Sequence, residues 1–355
     1  MPYNNAMSHL QIILPFSIPP AAMTADLASE LKTPALAKLI AYSKRTQIKL
    51  SGDFSRRLPH ESIFAGHSSL ESEVDIATPI SNLQENRLNS PAITHNKMQQ
   101  FGLTPSDGFW FTLSPVHIHI ARDHLVLTDQ RKLAISADEA HALFDVAKIL
   151  CDEVGISLLY GDEKNWFLRA DKWHEMQTST LDAACGHNID IWMPKGEYSL
   201  AWRKLQNEIQ MAWFIHPVNV NREERGDKLL NSLWLHSGSQ SLTLTPTVQH
   251  ALQTFEEIVA KLKRDETFYL NLDALLAPAL NNDWPAWLDA IHQLETEWFA
   301  PLLQALANKQ IQNLSLLVTD ANKVVTLKLG PRCLWKFWIT PSMDKLFSLS
   351  TPDPL

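Results

Sequence analysis

The chain has 355 residues, 45% of them hydrophobic and 20% charged, an ordinary globular composition that excludes a disordered or low-complexity protein. A net charge of -8 and a pI near 5.9 exclude broad, unspecific attraction to nucleic acid or anionic membranes, while leaving room for a local basic patch around one phosphate group. Cys151, Cys185 and Cys333 are odd in number, widely spaced and without a C-x-x-C pair, so neither a disulfide scaffold nor a zinc ribbon is expected and a reducing, cytoplasmic setting fits.

The first apolar stretch, "LQIILPFSIPPAAM", has no basic leader and is cut by Pro15, Pro19 and Pro20, which spoils it as a signal peptide or a membrane helix. Leu10 to Leu14 predict a buried strand, and "TADLASELKTPALAKLIAYSKR" has helical spacing interrupted at Pro34. From Ser51 to Asp107 the text is polar and aperiodic, which predicts long loops. "PVHIHIARDHLVLTD" then predicts a hairpin around its polar middle. Ser136 and Glu139 have capping-box spacing ahead of an apolar face at Ala140, Leu143, Phe144, Ala147, Leu150 and Val154, ended by Gly155. "ISLLYG" and "NWFLRA" predict strands around a turn. Trp202, Leu205, Ile209, Ala212 and Trp213 mark one helical stripe that Pro217 stops, and "NSLWLH" predicts a buried strand. Further on, "TVQHALQTFEEIVAKLKR" and "WPAWLDAIHQLETEWFAPLLQALANK" predict amphipathic helices, and "LSLLVTD" with "VVTLKL" a hairpin. The 12 tryptophans are expected as wedges in a core or an interface.

Among polar residues, Arg222 and Arg225 are three apart and would share one side of a helical turn, where guanidinium forks suit phosphate or carboxylate oxygens. Glu223 and Glu224 between them offer the competing reading of surface ion pairs. Asn219, Asn221 and Asn231 suit caps and turns. His117 and His119 alternate at period two, a spacing compatible with two metal ligands. No third ligand is evident nearby, so a solvated or half-buried role is expected, as for His60 and His67. "LHSGS" at 235–239 is a small turn of phosphate-cradling type without the P-loop pattern. Asp162, Glu163 and Arg169 read as a solvated hairpin turn, and no G-x-S-x-G elbow or H-E-x-x-H helix occurs.

The long block "AWRKLQNEIQMAWFIHPVNVNREERGDKLLNSLWLHSGS", together with "LPHESIFA", "PVHIHIARDHLVLTD", "NWFLRA", "GHNIDIWMP" and "LWKFW", resembles the RpfE-type regulatory protein family of bacteria. A more distant resemblance is to the archaeal type of cofactor-independent phosphoglycerate mutase, in the alkaline-phosphatase-like superfamily. His216, Pro217, Asn219, Arg222, Gly226 and Asn231, followed by "SLWLH", match its HPxN…R…G…PAN stretch. Thr33, Pro34, Leu36 and Leu39 match its TPxLxxL helix.

The resemblance implies an α/β fold of alkaline-phosphatase-like type: a mostly parallel central sheet flanked by helices, with an inserted α+β subdomain. Residues 9–104 and 216–345 would form the core and 105–215 the insert. It also implies a ligand or anion site at Asn219, Arg222, Arg225 and Asn231. The superfamily's chemistry needs two metal ions held by several Asp and His ligands. Here "ILPFSIPP" lacks the carboxylate that should follow the first strand, "LLVTDANK" offers Asp320 without a histidine, and no nucleophile block stands out between residues 51 and 90. The expectation is therefore a protein without a working two-metal site and without a cofactor, acting as a regulatory or ligand-sensing protein. Its partner would be a phosphorylated small molecule or a protein, with neither nucleic acid nor membrane. The alternative is a phosphomutase or phosphatase using a divalent metal on non-standard ligands, with His117, His119, Asp123 and Asp320 as candidates. A protein-interaction module is the third reading.

Overall fold

A computed structural model describes residues 9–51, 55–64, 89–105, 107–242, 248–250, 254–262, 267–336 and 338–350. Among them the strands are β1 (His9–Leu14), β2 (Lys44–Leu50), β3 (Trp110–Val116), β4 (Ile118–Ala121), β5 (His124–Leu127), β6 (Ser157–Tyr160), β7 (Trp166–Arg169), β8 (Ser232–Ser239), β9 (Val248–His250), β10 (Thr267–Asn271), β11 (Asn313–Thr319) and β12 (Lys323–Leu329). The chain divides into two compact units, one made of 1–51 with 246–355 and the other of 52–245.

The first unit is an α/β structure on a six-stranded mixed sheet of order β2-β12-β11-β1-β10-β9. β1 lies parallel to β10 and β11, and β10 parallel to β9, whereas β12 and β2 complete the sheet antiparallel. A central parallel strand is covered on both faces and so reads as a continuous apolar run; Leu10, Ile12, Ile13 and Leu14 are all buried. The helices Pro34–Tyr42 and Trp284–Leu294 supply Leu36, Leu39, Ile40, Trp287 and Ile291 to the same core as Leu316 and Leu327. Pro34 starts its helix instead of interrupting one. Its pyrrolidine ring suits the first turn, where the missing amide hydrogen has no partner to lose. The Glu295 carboxylate accepts from the amides of Ala35 (2.5 Å) and Leu36 (3.0 Å), completing that N-terminus.

The second unit holds an antiparallel sheet of order β6-β7-β3-β8 and the separate β4-β5 hairpin. The helix Ala137–Glu153 begins with the expected Ser136–Glu139 capping box, and Gly155 follows it with φ +72°. It and the helix Ser199–Phe214 pack an aromatic core in which Trp166 meets Phe144 (5.2 Å) and Trp213 (5.9 Å) edge to face. Val154 lies outside that face and is exposed.

The boundaries expected at 105 and 215 differ from this grouping, because β8 pairs antiparallel with β3 from Ser232↔Val116 to Ser239↔Trp110. Residues 216–239 thus belong with the second unit. "TVQHALQTFEEIVAKLKR" is also not one helix: Val248–His250 is a strand, the helix covers Phe255–Lys261, and the remainder lies outside the described residues. β2, β3, β9 and β10 have no counterpart in the sequence reading.

Candidate functional site

In the 216–231 stretch Asn219 and Arg222 are turned inward. His216 caps the helix Pro217–Arg225 by accepting the Val218 amide, and Gly226, at φ +75°, ends it in the left-handed conformation. Arg222 is 1% exposed. Its Nε donates to the Lys228 carbonyl (2.8 Å), and its Nη1 to the Ala134 carbonyl (2.8 Å) and the Glu139 carboxylate (2.6 Å). Arg225 donates to the other Glu139 oxygen (2.6 Å) and to Asp227 (3.0 Å). Asn219 donates to the carbonyls of Trp213 and Leu230 and accepts the Leu230 amide, while Asn231 pairs both ways with the backbone of Ile118.

Arg222 and Arg225 thus meet on one carboxylate, while Asn219 and Asn231 separately tie the connection before β8 to its surroundings. The guanidinium forks of Arg222 and Arg225 already hold a carboxylate, so an anion arriving at these two residues would compete with Glu139. Burial pushes the Glu139 carboxyl up, yet the Arg225 hydrogen bond, the Ser136 amide and the Arg222 charge outweigh it and hold the group below the usual carboxylate range.

The metal candidates are not assembled. His117 and His119 stack at 5.9 Å, as their spacing suggests, but His117 Nδ1 bonds the Leu229 carbonyl and His119 Nδ1 faces Thr128 Oγ1. Asp123 is paired with its neighbour His124 at the exposed hairpin turn, and Asp320 belongs to the first unit. Among the described residues no group of three or more His, Cys, Asp or Glu side chains is placed to hold a metal ion. His67 lies outside the described residues.

Two polar clusters of the second unit were missed. The first is a buried seam along β8. Ser237 has φ +58° and lies at a bulge, because Trp110 pairs with Ser239 while Thr112 pairs with His236. Gly238 is required there, since a Cβ would lie 2.5 Å from the rings of both Phe109 and Phe111. His236 Nδ1 contacts Ser237 Oγ (2.9 Å) and its Nε2 contacts Ser114 Oγ (3.3 Å). Ser90 Oγ links the Ser237 amide (2.8 Å) to Thr178 Oγ1 (2.6 Å), and Thr94 Oγ1 links Thr112 Oγ1 to the Ser237 carbonyl. Burial, and then the Lys97 charge, push the His236 imidazole down to about 3, so it is neutral at pH 7. The "LHSGS" turn was the signal for this seam, and its hydroxyls meet imidazoles, Ser237 Oγ that of His236 and Ser239 Oγ that of His95 (2.8 Å).

The second cluster surrounds Glu61, within the "LPHESIFA" block. Its Oε2 accepts from the Leu58 amide (2.6 Å) and Thr180 Oγ1 (2.8 Å). Although the residue keeps some exposed surface, its carboxyl lies inside. Burial, and then the nearby Asp182 charge, raise it to about 8 against the opposing pull of Leu58, Thr180 and Arg57. Buried Arg56 donates to Ser179 Oγ and to the carbonyls of Trp192 and Met193, and Arg131 joins Asp182 (2.6 Å) to Asp129 (2.8 Å). Nothing in the spacing of these residues marked them as buried together.

In open α/β sheets ligands bind beyond the carboxyl ends of the parallel strands. In the first unit β1 runs there into Pro15, Phe16 and Ser17. Phe16, at φ +54°, donates its amide to Thr319 Oγ1 (3.1 Å), and its carbonyl accepts the Trp287 indole (3.0 Å). Beyond β11, Asp320 accepts the amides of Asn322 and Lys323 and lies 3.3 Å from the Lys323 ammonium, which also donates to the Leu349 carbonyl. Ser350 Oγ bonds the Pro19 carbonyl (2.7 Å). Beyond β1 and β11 this donor set does not fit a pair of divalent ions: an apolar Pro–Phe follows β1, the carboxylate beyond β11 already faces an ammonium, and the next carboxylate, Asp273 beyond β10, accepts from Asn271 (3.3 Å).

No protein-family model matches the chain, and no curated protein does. Among solved structures, the cofactor-independent phosphoglycerate mutase from Thermoplasma acidophilum DSM 1728 is similar at 12% identity, over 91% of this chain and 90% of that one, with a TM-score of 0.40. The PH0037 protein from Pyrococcus horikoshii is similar at 12% identity, over 92% of this chain and 88% of that one, with a TM-score of 0.46. No helix among the described residues is long and apolar enough to cross a membrane.

Proposed function

We propose that the chain is a non-catalytic regulatory or ligand-sensing protein on a phosphoglycerate mutase-like α/β frame, of the RpfE type that its sequence blocks resemble. The observation that carries this reading is Asp320 facing Lys323 at 3.3 Å beyond β11. Two-metal phosphoryl chemistry uses clustered anionic oxygens to gather cations, and here a fixed cation of the chain takes that part. At the end of β1 the Phe16 amide and carbonyl are likewise already bonded, to the Thr319 hydroxyl and the Trp287 indole. A ligand would be met elsewhere than at Arg222, whose three bonds hold the fold.

The test is turnover of 3-phosphoglycerate and of a simple aryl phosphate by the full chain, with Mn2+, Mg2+ or Zn2+ supplied in turn. No turnover above the buffer rate is expected with any of the three. Multiple turnover with one of them overturns the proposal and restores the enzyme reading.

A further inference from the structure

The first unit carries a second set of cations whose surroundings are unlike those of Arg222 and Arg225. β2 pairs with β12 so that Lys44 lies opposite Lys328 and Arg45 opposite Leu327. β12 then leads into the short 3-10 turn Pro331–Trp335, which adds Arg332, and Lys336 follows it. The Lys336 ammonium donates to the Tyr42 carbonyl (2.8 Å), and that of Lys345 to the Ser43 carbonyl (2.6 Å) and hydroxyl (2.9 Å). Both ammoniums are thus held at the start of β2 by neutral oxygens. Lys345 has its proton affinity lowered, first by burial and then by the Lys336 and Arg45 charges, which places all three within electrostatic reach of one another.

Among the described residues, none of Lys44, Arg45, Lys328, Arg332, Lys336 or Lys345 forms an ion pair with a carboxylate. The unit as a whole has 14 Lys and Arg against 14 Asp and Glu, so this concentration of one sign is a local feature that the acidic total conceals. Trp335, in the same turn as Arg332 and directly before Lys336, is 71% exposed, while Leu334, Leu346 and Leu349 of the same stretch turn into the core.

We propose that the surface formed by Arg45, Arg332, Lys336, Lys345 and the exposed indole of Trp335 binds single-stranded nucleic acid. A base stacks on the indole face and backbone phosphates meet the cations. An interfacial membrane anchor would display aliphatic side chains beside its tryptophans, and here the neighbouring leucines face inward. The exposed Ile48 and Leu50 sit toward the other end of β2, opposite Val325 and Lys323. The acidic bulk of the chain restricts the contact to a few nucleotides and makes it strongly dependent on salt. This inference stands apart from the proposed lack of turnover and is tested separately.

The experiment is fluorescence anisotropy of labelled oligothymidylate with the full chain at low salt, read also through quenching of tryptophan emission. Binding is expected, weakening steeply as salt rises. Trp335→Ala is expected to weaken it about 5- to 100-fold, the loss of one stacked base, and Arg45→Gln to reduce the salt slope. Arg225→Gln, on the other unit, is expected to leave binding unchanged. Absence of binding at low salt overturns the proposal. So does equal competition by inorganic polyphosphate with no effect of Trp335→Ala, which would mean charge attraction alone. Binding to phosphatidylserine vesicles without binding to the oligonucleotide overturns it in favour of a membrane surface.

Discussion

Within residues 52–245, two regions take ionisable groups out of water in opposite ways. Around Glu139 the charges are kept and paired: Arg222 and Arg225 each place a donor 2.6 Å from one carboxylate oxygen, and the carboxyl is held below its usual range. Around Glu61 and His236 the charge is given up, the carboxyl rising to about 8 and the imidazole falling to about 3. The difference follows from what faces each group. Guanidinium forks stabilise an anion enough to offset its desolvation, whereas hydroxyls, amides and a like-signed neighbour do not.

The largest expected effect comes from breaking the paired region. Arg222→Ala leaves Glu139 without its buried partner and the carbonyls of Ala134 and Lys228 without a donor. Breaking such a pair costs about 3 to 5 kcal/mol, so urea denaturation should show a large fall in midpoint with an unchanged slope.

Glu61→Gln acts on the neutral region and depends on pH. A carboxyl whose folded pKa lies above its unfolded value of 4.5 holds a proton that the unfolded chain releases, so stability is full below pH 4.5 and is lost as pH rises through about 8. The glutamine variant should therefore match the wild type near pH 5 and melt at a higher temperature near pH 9. A constant difference at both pH values would contradict the buried neutral carboxyl.

For His236 the sign reverses. Its folded pKa of about 3 lies below the unfolded 6.5, so its contribution is present above pH 6.5 and is lost as pH falls toward 3. His236→Asn should flatten the acid side of the stability profile while lowering stability modestly at neutral pH. NMR titration of the imidazole checks the same point, with no protonation expected above pH 5. Smallest of all is Arg225→Ala. Its side chain is 52% exposed, and solvent screens such pairs, so the melting temperature should stay close to that of the wild type. A loss as large as that of Arg222→Ala would show the two arginines to be equivalent.

Much of the fold was legible. The apolar run of β1, the capping box at Ser136, the tryptophan stripe at Trp202, Ile209 and Trp213 and the β11–β12 hairpin follow from local periodicity and turn chemistry, and all are present. β2 was hidden because "KRTQIKL" is an edge strand whose charges continue the pattern of the helix before it. The placement of β8 was hidden because a buried strand shows its apolarity but not its partner. The arginine pair was read for the ligand that guanidinium groups favour, and its actual counterion, Glu139, lies more than 80 positions away in the sequence. Glu61 and His236 carry no local signature, since their shifts arise from neighbours gathered from distant segments.

The proposed lack of turnover is tested most directly by calorimetric titration of Mn2+ into the full chain at neutral pH. The account predicts no stoichiometric binding, because the carboxylate beyond β11 is already matched by Lys323. Two equivalents bound tightly, followed by conversion of 3-phosphoglycerate, would contradict it.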